Sequence, residues 1–383
     1  MGLTRQRRIL LVAVLAFMLI AVVAVGGGGW YLSNLIRDGG LVPDHEAPML
    51  DLEIIALADG RITLRAGPDT DEDGRWSMDG LFGLERATGY DQVGSIVSAE
   101  DEEVVRRFTP LSDSARQGDM ARVDNYAFPE NPQEAFGLAF EEVMYTSSLG
   151  EFPAWLIGGT DDTWVIMVHG RGADRREALR MLPEVAELGL PALVINYRND
   201  EGFPADPSGY YQYGRTEWLD LEGAVKYALE HGAFDLVLVG YSMGGGIVAN
   251  FLYESDLSGV VRGLILDAPM LDFGATVDLG ASRRGYPGVV SALAKAFAGF
   301  RFDIDWEAIN YLDRVDELRA PILLFHGDED TTVPISTSDK LSDARPELVE
   351  YVRVSGAEHV GAWNKDRENY NDAVSRFLAR VSR

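Results

Sequence analysis

The sequence predicts an α/β protein, a mostly parallel sheet with helices on both faces, preceded by a small β-rich region and an N-terminal transmembrane helix. Three observations carry this reading. From about residue 135 onward, short apolar runs rich in β-branched residues ("TWVIMVHG", "PALVINYR", "DLVLVGYS", "VRGLILDAP", "PILLFHGDED", "LVEYVRVSG") alternate with amphipathic stretches of helical length. Strands covered by helices on both sides read this way. Between residues 51 and 134 the runs are mixed and broken by Gly- and Asp-rich turns. At the N-terminus, seventeen uninterrupted apolar residues, Ile9 to Val25, follow Arg5, Arg7 and Arg8.

Taken in order, residues 1–36 form a basic tip and an apolar segment. With Gly26–Gly29 and Trp30-Tyr31 it reaches the roughly 20 residues needed to span a bilayer. Arginines on the first side keep that side in the cytoplasm, so the remainder is expected outside the membrane as a single-pass anchored domain. The alternative is a cleaved signal peptide with a small-residue site near Ala24 to Gly26, which would release a secreted protein. Residues 37–134 read as a linker followed by a β-rich accessory region. Within it, "LEIIALADGRITLRA" is two strand-like runs around Asp59-Gly60, a hairpin signal. The acidic "DTDEDG" resembles half of a calcium loop starting at Asp69. A twelfth-position acid is missing, since residue 80 is Gly, so a solvated turn is expected. Residues 135–383 carry the strand and helix alternation, with a helical stretch at 174–188, another in "RTEWLDLEGAVKYALEHG", and a last helix over 363–381.

Composition narrows the function. The 383 residues carry 34 Lys+Arg against 61 Asp+Glu, a net charge of −27. Such a body repels phosphate backbones, which argues against nucleic-acid binding. There is no cysteine, which removes disulfides, a thiol nucleophile and thiolate metal ligands. No cluster of His, Asp and Glu has ligand spacing, so neither metal nor cofactor is expected.

Chemistry concentrates in "LVLVGYSMGGGIVANFL", residues 236–252, where a strand-like run meets Ser242 and a helix begins on three glycines. Gly240-Tyr241-Ser242-Met243-Gly244 fits G-x-S-x-G in the strand–turn–helix context that this motif needs. The serine stands at the apex of a tight reversal, so the positions two before and two after it approach too closely for side chains. A phosphate loop is excluded, because neither G-x-G-x-x-G nor G-K-[ST] is present. A serine needs a base, and the chain has five histidines. His45 lies in the linker and His231 at a helix end. His169 and His326 each end a strand before a glycine. His359, in "VSGAEHVGAWN", follows the last strand and can return to the carboxyl edge of the sheet, which makes it the base. For the acid, Asp330 in "HGDEDTTVP" fits best, a few residues beyond its strand. Asp328 is expected to hold the turn, and Asp267 in "LILDAP" is the reserve. The order Ser242, Asp330, His359 is that of α/β-hydrolases.

These motifs, with His169-Gly170-Arg171-Gly172, resemble the α/β-hydrolase superfamily from about residue 135 to the C-terminus. Within it the chain is similar to the serine-aminopeptidase-like and monoacylglycerol-lipase-like branch, and to actinobacterial membrane-anchored hydrolases. The resemblance implies an oxyanion hole made by the backbone amides of Met243 and Arg171. Arg171 departs from the small residue often found there, and its side chain is expected to line the entrance. Residues 271–320 leave room for a modest cap, with Phe297, Phe300, Phe302 and Trp306 expected to wall an apolar pocket. The expected reaction is hydrolysis of a small-molecule acyl ester. The alternatives are a serine peptidase on the same triad and a non-catalytic binding module on the same fold.

Overall fold

Asp59 and Gly60 turn the chain with φ of 51° and 67°, the pair of left-handed residues that a two-residue hairpin needs. The flanking strands, β1 (Leu52–Ala58) and β2 (Arg61–Ala66), alternate inward and outward, with Leu52, Ile54, Ile62 and Leu64 buried. β3 (Phe82–Arg86), β4 (Gly89–Glu100), β5 (Glu103–Thr109) and β6 (Met120–Asp124) complete a closed barrel in the order β1-β2-β5-β4-β3-β6. The antiparallel pair of β1 with β6 closes it, which leaves no exposed edge to recruit another chain. The β-rich region is thus a barrel with its own core of Ile54, Leu64, Leu84, Val93 and Val104. The computed structural model describes residues 5–68, 70, 74–112 and 115–382, with the side chains of 6–13, 16, 17 and 19–24 outside that description. The acidic turn "DTDEDG" falls mostly outside the described residues.

The second sheet has eight strands. β7 (Glu141–Ser147) and β8 (Gly150–Ile157) are antiparallel at one edge. β9 (Thr163–Val168), β10 (Ala192–Ile195), β11 (Asp235–Tyr241), β12 (Val261–Asp267), β13 (Ile322–Gly327) and β14 (Val349–Val354) run parallel. The order is β14-β13-β12-β11-β9-β10-β8-β7. β9, β10, β11 and β13 are buried along their whole length, hence their unbroken apolar runs.

The helices, in chain order, are α1 (Arg5–Ile36), α2 (Pro132–Phe136), α3 (Leu182–Glu187), α4 (Trp218–Glu230), α5 (Met243–Glu254), α6 (Phe273–Arg283), α7 (Gly288–Phe302), α8 (Ser336–Ala344), α9 (Ala362–Lys365) and α10 (Arg367–Val381). One core lies under α4 and α5, and the other under α3 and α10. Two expected helices are divided. The stretch 174–188 begins as a tight 3₁₀ turn, Arg175–Arg180, and becomes α-helical only at Leu182, with Pro183 in the first turn, where its missing N–H is harmless. The last helix splits at Asp366, whose carboxylate accepts the Asn369 amide and caps α10.

The N-terminal expectation falls largely outside the described residues. The backbone of α1 is helical over Arg5–Ile36, but most side chains of the Ile9–Val25 run lie outside the described residues. Among the described residues no helix is long and apolar enough to cross a membrane, so the predicted transmembrane helix finds no support there. The end of α1 is committed to packing. Gly29, Ser33 and Ile36 are buried, Arg301 of α7 donates to Trp30 O (2.8 Å) and Ser33 Oγ (2.6 Å), and its guanidinium lies 3.4 Å from the Trp30 ring centroid. A Cβ on Gly29 would stand 2.5 Å from the Phe297 ring. The turn Arg37–Leu41 that follows is also fixed: Tyr211 N donates to Leu41 O (2.8 Å) and Tyr213 Oη to Gly40 O (2.8 Å).

Candidate active site

The glycines around Ser242 are explained by what surrounds them. A Cβ on Gly240 would lie 2.7 Å from Gly244 C, one on Gly244 2.2 Å from Val168 O, and one on Gly245 2.4 Å from the Pro269 Cβ. These are closer than atoms can approach, so the first turn of α5 reaches the neighbouring strands only with glycine there. Ser242 itself takes φ 49°, ψ −117° at the junction of β11 and α5, a sparsely populated conformation held by its surroundings. Its N–H donates to Asp267 O (3.0 Å), and its carbonyl accepts from Gly245 N (2.9 Å) and Met270 N (2.8 Å).

The structure brings Ser242, His359 and Asp330 together. Ser242 Oγ stands 2.8 Å from His359 Nε2, and His359 Nδ1 stands 2.7 Å from Asp330 Oδ2. This chain of contacts sets the tautomer in which Nδ1–H donates to the carboxylate and Nε2 accepts from the hydroxyl. Asp330 follows β13. Its Oδ1 accepts the amides of Thr332 and Val333, both at 2.8 Å, and its side chain has no exposure. Burial pushes this carboxyl up, but His359 and His326 outweigh burial and hold it well below the usual carboxylate range. Asp328 accepts the Gly356 amide at 2.7 Å and so holds the turn. Asp267, the reserve acid, is not at the histidine. Its Oδ2 accepts from Tyr370 Oη (3.1 Å), and burial, partly offset by Arg180, raises its carboxyl to about 6.

Two supporting residues escaped the sequence reading. His326 Nε2 lies 3.1 Å from Asp330 Oδ2, so the acid is gripped by two imidazoles. The signal was the i,i+4 spacing in "HGDED", which puts His326 at the strand end and Asp330 just past it. Glu177 Oε2 accepts the Gly170 amide at 2.8 Å and pins the loop carrying Arg171. His169 fixes the same loop from the other side: its Nδ1 lies 2.9 Å from Gly170 O and its Nε2 3.0 Å from Asp200 Oδ2. Burial works against a charged ring there, but Asp200 outweighs it and raises His169 to about 9. Among the described residues, neither the Met243 nor the Arg171 amide meets an acceptor. His231 caps a helix through Tyr227 O (2.7 Å), away from the serine.

Two cavities open on Ser242. One, of about 730 Å³, is polar and lies between the barrel and the main domain, lined by Arg75, Arg122, Tyr126, Arg176, Asp200 and His359 among others. The other, of about 490 Å³, lies beneath α6 and α7 and is mostly apolar, lined by aliphatic side chains, Phe273 and Met243, with Arg171, Asp38, Arg284 and several threonines as its polar groups. Arg171, exposed, borders both. The aromatic wall expected in the cap is not there. Phe300 is 91% exposed, Phe297 faces Gly29, Phe302 packs on Tyr210, and Trp306 stacks on Phe273. Phe297 and Phe300 thus face α1 and solvent, while Phe302 and Trp306 pack into the core beside the cavity. Among the described residues no group of three or more His, Asp or Glu is placed to hold a metal ion.

Residues 53–124, the barrel, match the model of a domain of unknown function, DUF8805. Residues 183–383 match the model of the prolyl oligopeptidase family. The chain is 24% identical over 271 residues to the uncharacterized protein YfhR of Salmonella typhimurium, a match covering 67% of this chain and 85% of that one. It is 24% identical over 222 residues to the uncharacterized protein Rv2307c of Mycobacterium tuberculosis, covering 57% and 70%. Among solved structures, the esterase Pf2001 of Pyrococcus furiosus superposes with a TM-score of 0.54 at 21% identity, over 67% of this chain and 96% of that one. At that identity the likeness speaks for the fold alone, which is the α/β-hydrolase fold.

Proposed function

The chain belongs to the prolyl oligopeptidase family of α/β-hydrolases, and from that premise we propose that it is a serine hydrolase that cleaves carboxylic esters through an acyl-enzyme. Ser242 Oγ attacks the ester carbonyl carbon while His359 Nε2 takes the hydroxyl proton. Asp330 keeps His359 in the tautomer that accepts at Nε2 and stabilises the imidazolium that results. The amides of Met243 and Arg171 receive the oxyanion, where a single donor is worth roughly 10²–10³-fold in rate. Collapse of the tetrahedral intermediate breaks the ester C–O bond, and the His359 imidazolium returns its proton to the departing alkoxide. Water then repeats the sequence on the acyl-enzyme and restores Ser242. The observation that supports this most directly is the unbroken run of contacts from Ser242 Oγ to His359 (2.8 Å) to Asp330 (2.7 Å) at the mouth of an apolar cavity.

A serine peptidase is the second reading, and the family match favours it. The two separate by kcat/KM on one preparation of the full chain, with short- to medium-chain p-nitrophenyl esters against amino-acid p-nitroanilides. Ester hydrolysis is expected to win by orders of magnitude. Faster anilides would replace the ester reading with the peptidase reading. Labelling by a fluorophosphonate that disappears in Ser242→Ala separates either enzyme from a binding module.

The location outside the cytoplasm is also part of this proposal. Its support is the basic flank and the Ile9–Val25 run in the sequence. A phosphatase fused after residue 383 is expected to be active and a fluorescent protein fused there dark, and the reverse pattern rejects it.

A further inference from the structure

The two cavities at Ser242 differ in one residue that decides their roles. His359 lines the polar cavity and not the apolar one. In ester cleavage the leaving alcohol departs toward the histidine that protonates it, so the acyl group must extend the other way. This deepens the esterase reading and rests on it. The apolar cavity is walled by α6 and α7 on one side and by the N-terminal segment on the other: Leu32 and Ile36 of α1 and Gly39 of the turn that follows face Phe273, Val277 and Ala294. We infer that the substrate is an acyl ester of a polar alcohol, and that its acyl chain is held against the end of the N-terminal helix.

This wall is built into the molecule. Arg301 grips the α1 backbone and Ser33, and the carbonyls of Gly40 and Leu41 are bonded to Tyr213 and Tyr211 of the main domain. The Tyr213 ring stacks on Phe273 at 3.7 Å between centroids, which ties the turn to the opposite wall. The alcohol side is contributed by the barrel, whose Arg75, Arg122 and Tyr126 face the catalytic histidine across the polar cavity. Residues outside the matched hydrolase segment therefore select both halves of the substrate.

The test uses the full chain in a short-chain detergent and p-nitrophenyl esters from acetyl to octanoyl. Wild-type kcat/KM is expected to rise with acyl length, by up to about fourfold per added methylene. A Cβ on Gly39 meets nothing within 4 Å, so Gly39→Trp places an indole in the cavity without a backbone clash. It is expected to lower the octanoyl-to-acetyl ratio at least tenfold. Leu32→Gln puts an amide into the same wall and is expected to lower the ratio at least fivefold. Phe300→Ala, on the exposed face of α7, is expected to leave the ratio where it was. Two variants that both keep the wild-type ratio, or a Phe300→Ala shift as large as theirs, overturn the inference. A wild-type chain that hydrolyses no ester and takes no fluorophosphonate at Ser242 instead rejects the esterase reading beneath it.

Discussion

Replacing Asp330 by asparagine changes one atom, and the structure dictates which way the new amide must face. Asp330 Oδ1 accepts two backbone amides, Thr332 N and Val333 N, each at 2.8 Å. Only an oxygen can serve there, so the asparagine NH₂ is driven to the Oδ2 position, 2.7 Å from His359 Nδ1 and 3.1 Å from His326 Nε2. It then donates to His359 Nδ1 and forces the ring proton onto Nε2, the atom that must accept from Ser242. The base is present in the wrong tautomer. The expected loss is about 10⁴-fold in kcat, which at 1.36 kcal/mol per tenfold is about 5.5 kcal/mol of transition-state stabilisation.

The assay is steady-state hydrolysis of p-nitrophenyl butyrate, with circular dichroism to show that the variant folds. Asp267→Asn serves as the comparison. Its carboxylate meets Tyr370 and not the histidine, so a change within about tenfold of wild type is expected. If Asp330→Asn keeps more than a tenth of wild-type activity, or if Asp267→Asn is the more damaging, the tautomer reasoning is refuted and the acid is misassigned.

Two further outcomes follow from packing and burial. Gly244→Ala drives a methyl to 2.2 Å from Val168 O. Overpacking of this kind costs ~1–3 kcal/mol or more, so thermal melting is expected to fall by at least about 2 °C, and an unchanged Tm argues against so close an approach of α5 to β9. Asp267, raised to about 6 by burial, binds its proton more tightly folded than unfolded. Its contribution to stability is full below about 3.9, the unfolded value, and is lost as pH rises through about 6. Asp267→Asn is therefore expected to gain in Tm relative to wild type at pH 8 and not at pH 4, and a pH-independent difference contradicts the assignment.

Local signals were legible in the sequence and long-range ones were not. Asp59-Gly60 announced its hairpin because turn geometry is set by the two residues that make it. G-x-S-x-G announced the elbow because the steric demand falls on positions two residues from the serine. Ser242, Asp330 and His359 could be picked out because each sits just past a strand end, where the fold must converge. The aromatic residues of the cap were assigned to the wrong side, because an amphipathic helix shows that it has an apolar face but not what will cover it. α1 supplied that cover through Arg301 and Trp30, 271 residues apart. The closure of the barrel was hidden for the same reason, since its strand order pairs β1 with β6 and β2 with β5 rather than neighbours in sequence.

The loop carrying His359 shows how far the geometry around Ser242 depends on such distant contacts. Val360, β-branched, takes φ 54°, a strained conformation for such a residue that persists only when surroundings impose it. Arg180 Nη1 donates to Val360 O (2.7 Å) and to Asn364 Oδ1 (2.9 Å). Asn364 in turn donates to Leu81 O (2.7 Å) and Asn125 O (2.9 Å) of the barrel region, and Asn125 Nδ2 donates to His359 O (3.3 Å). The His359 loop is thus clamped by a network whose far end is the barrel. Asn364→Ala removes three of these bonds and strands buried partners, at a cost of about 1–3 kcal/mol for each group left unsatisfied. If the clamp serves only stability, Tm falls and kcat at 25 °C stays as it was. If it positions His359, kcat falls by about tenfold, on the order of 1.4 kcal/mol, and fluorophosphonate labelling of Ser242 slows in proportion. The second outcome is expected, because nothing else among the described residues holds the His359 carbonyl, and a variant that melts earlier yet labels at the wild-type rate decides against it.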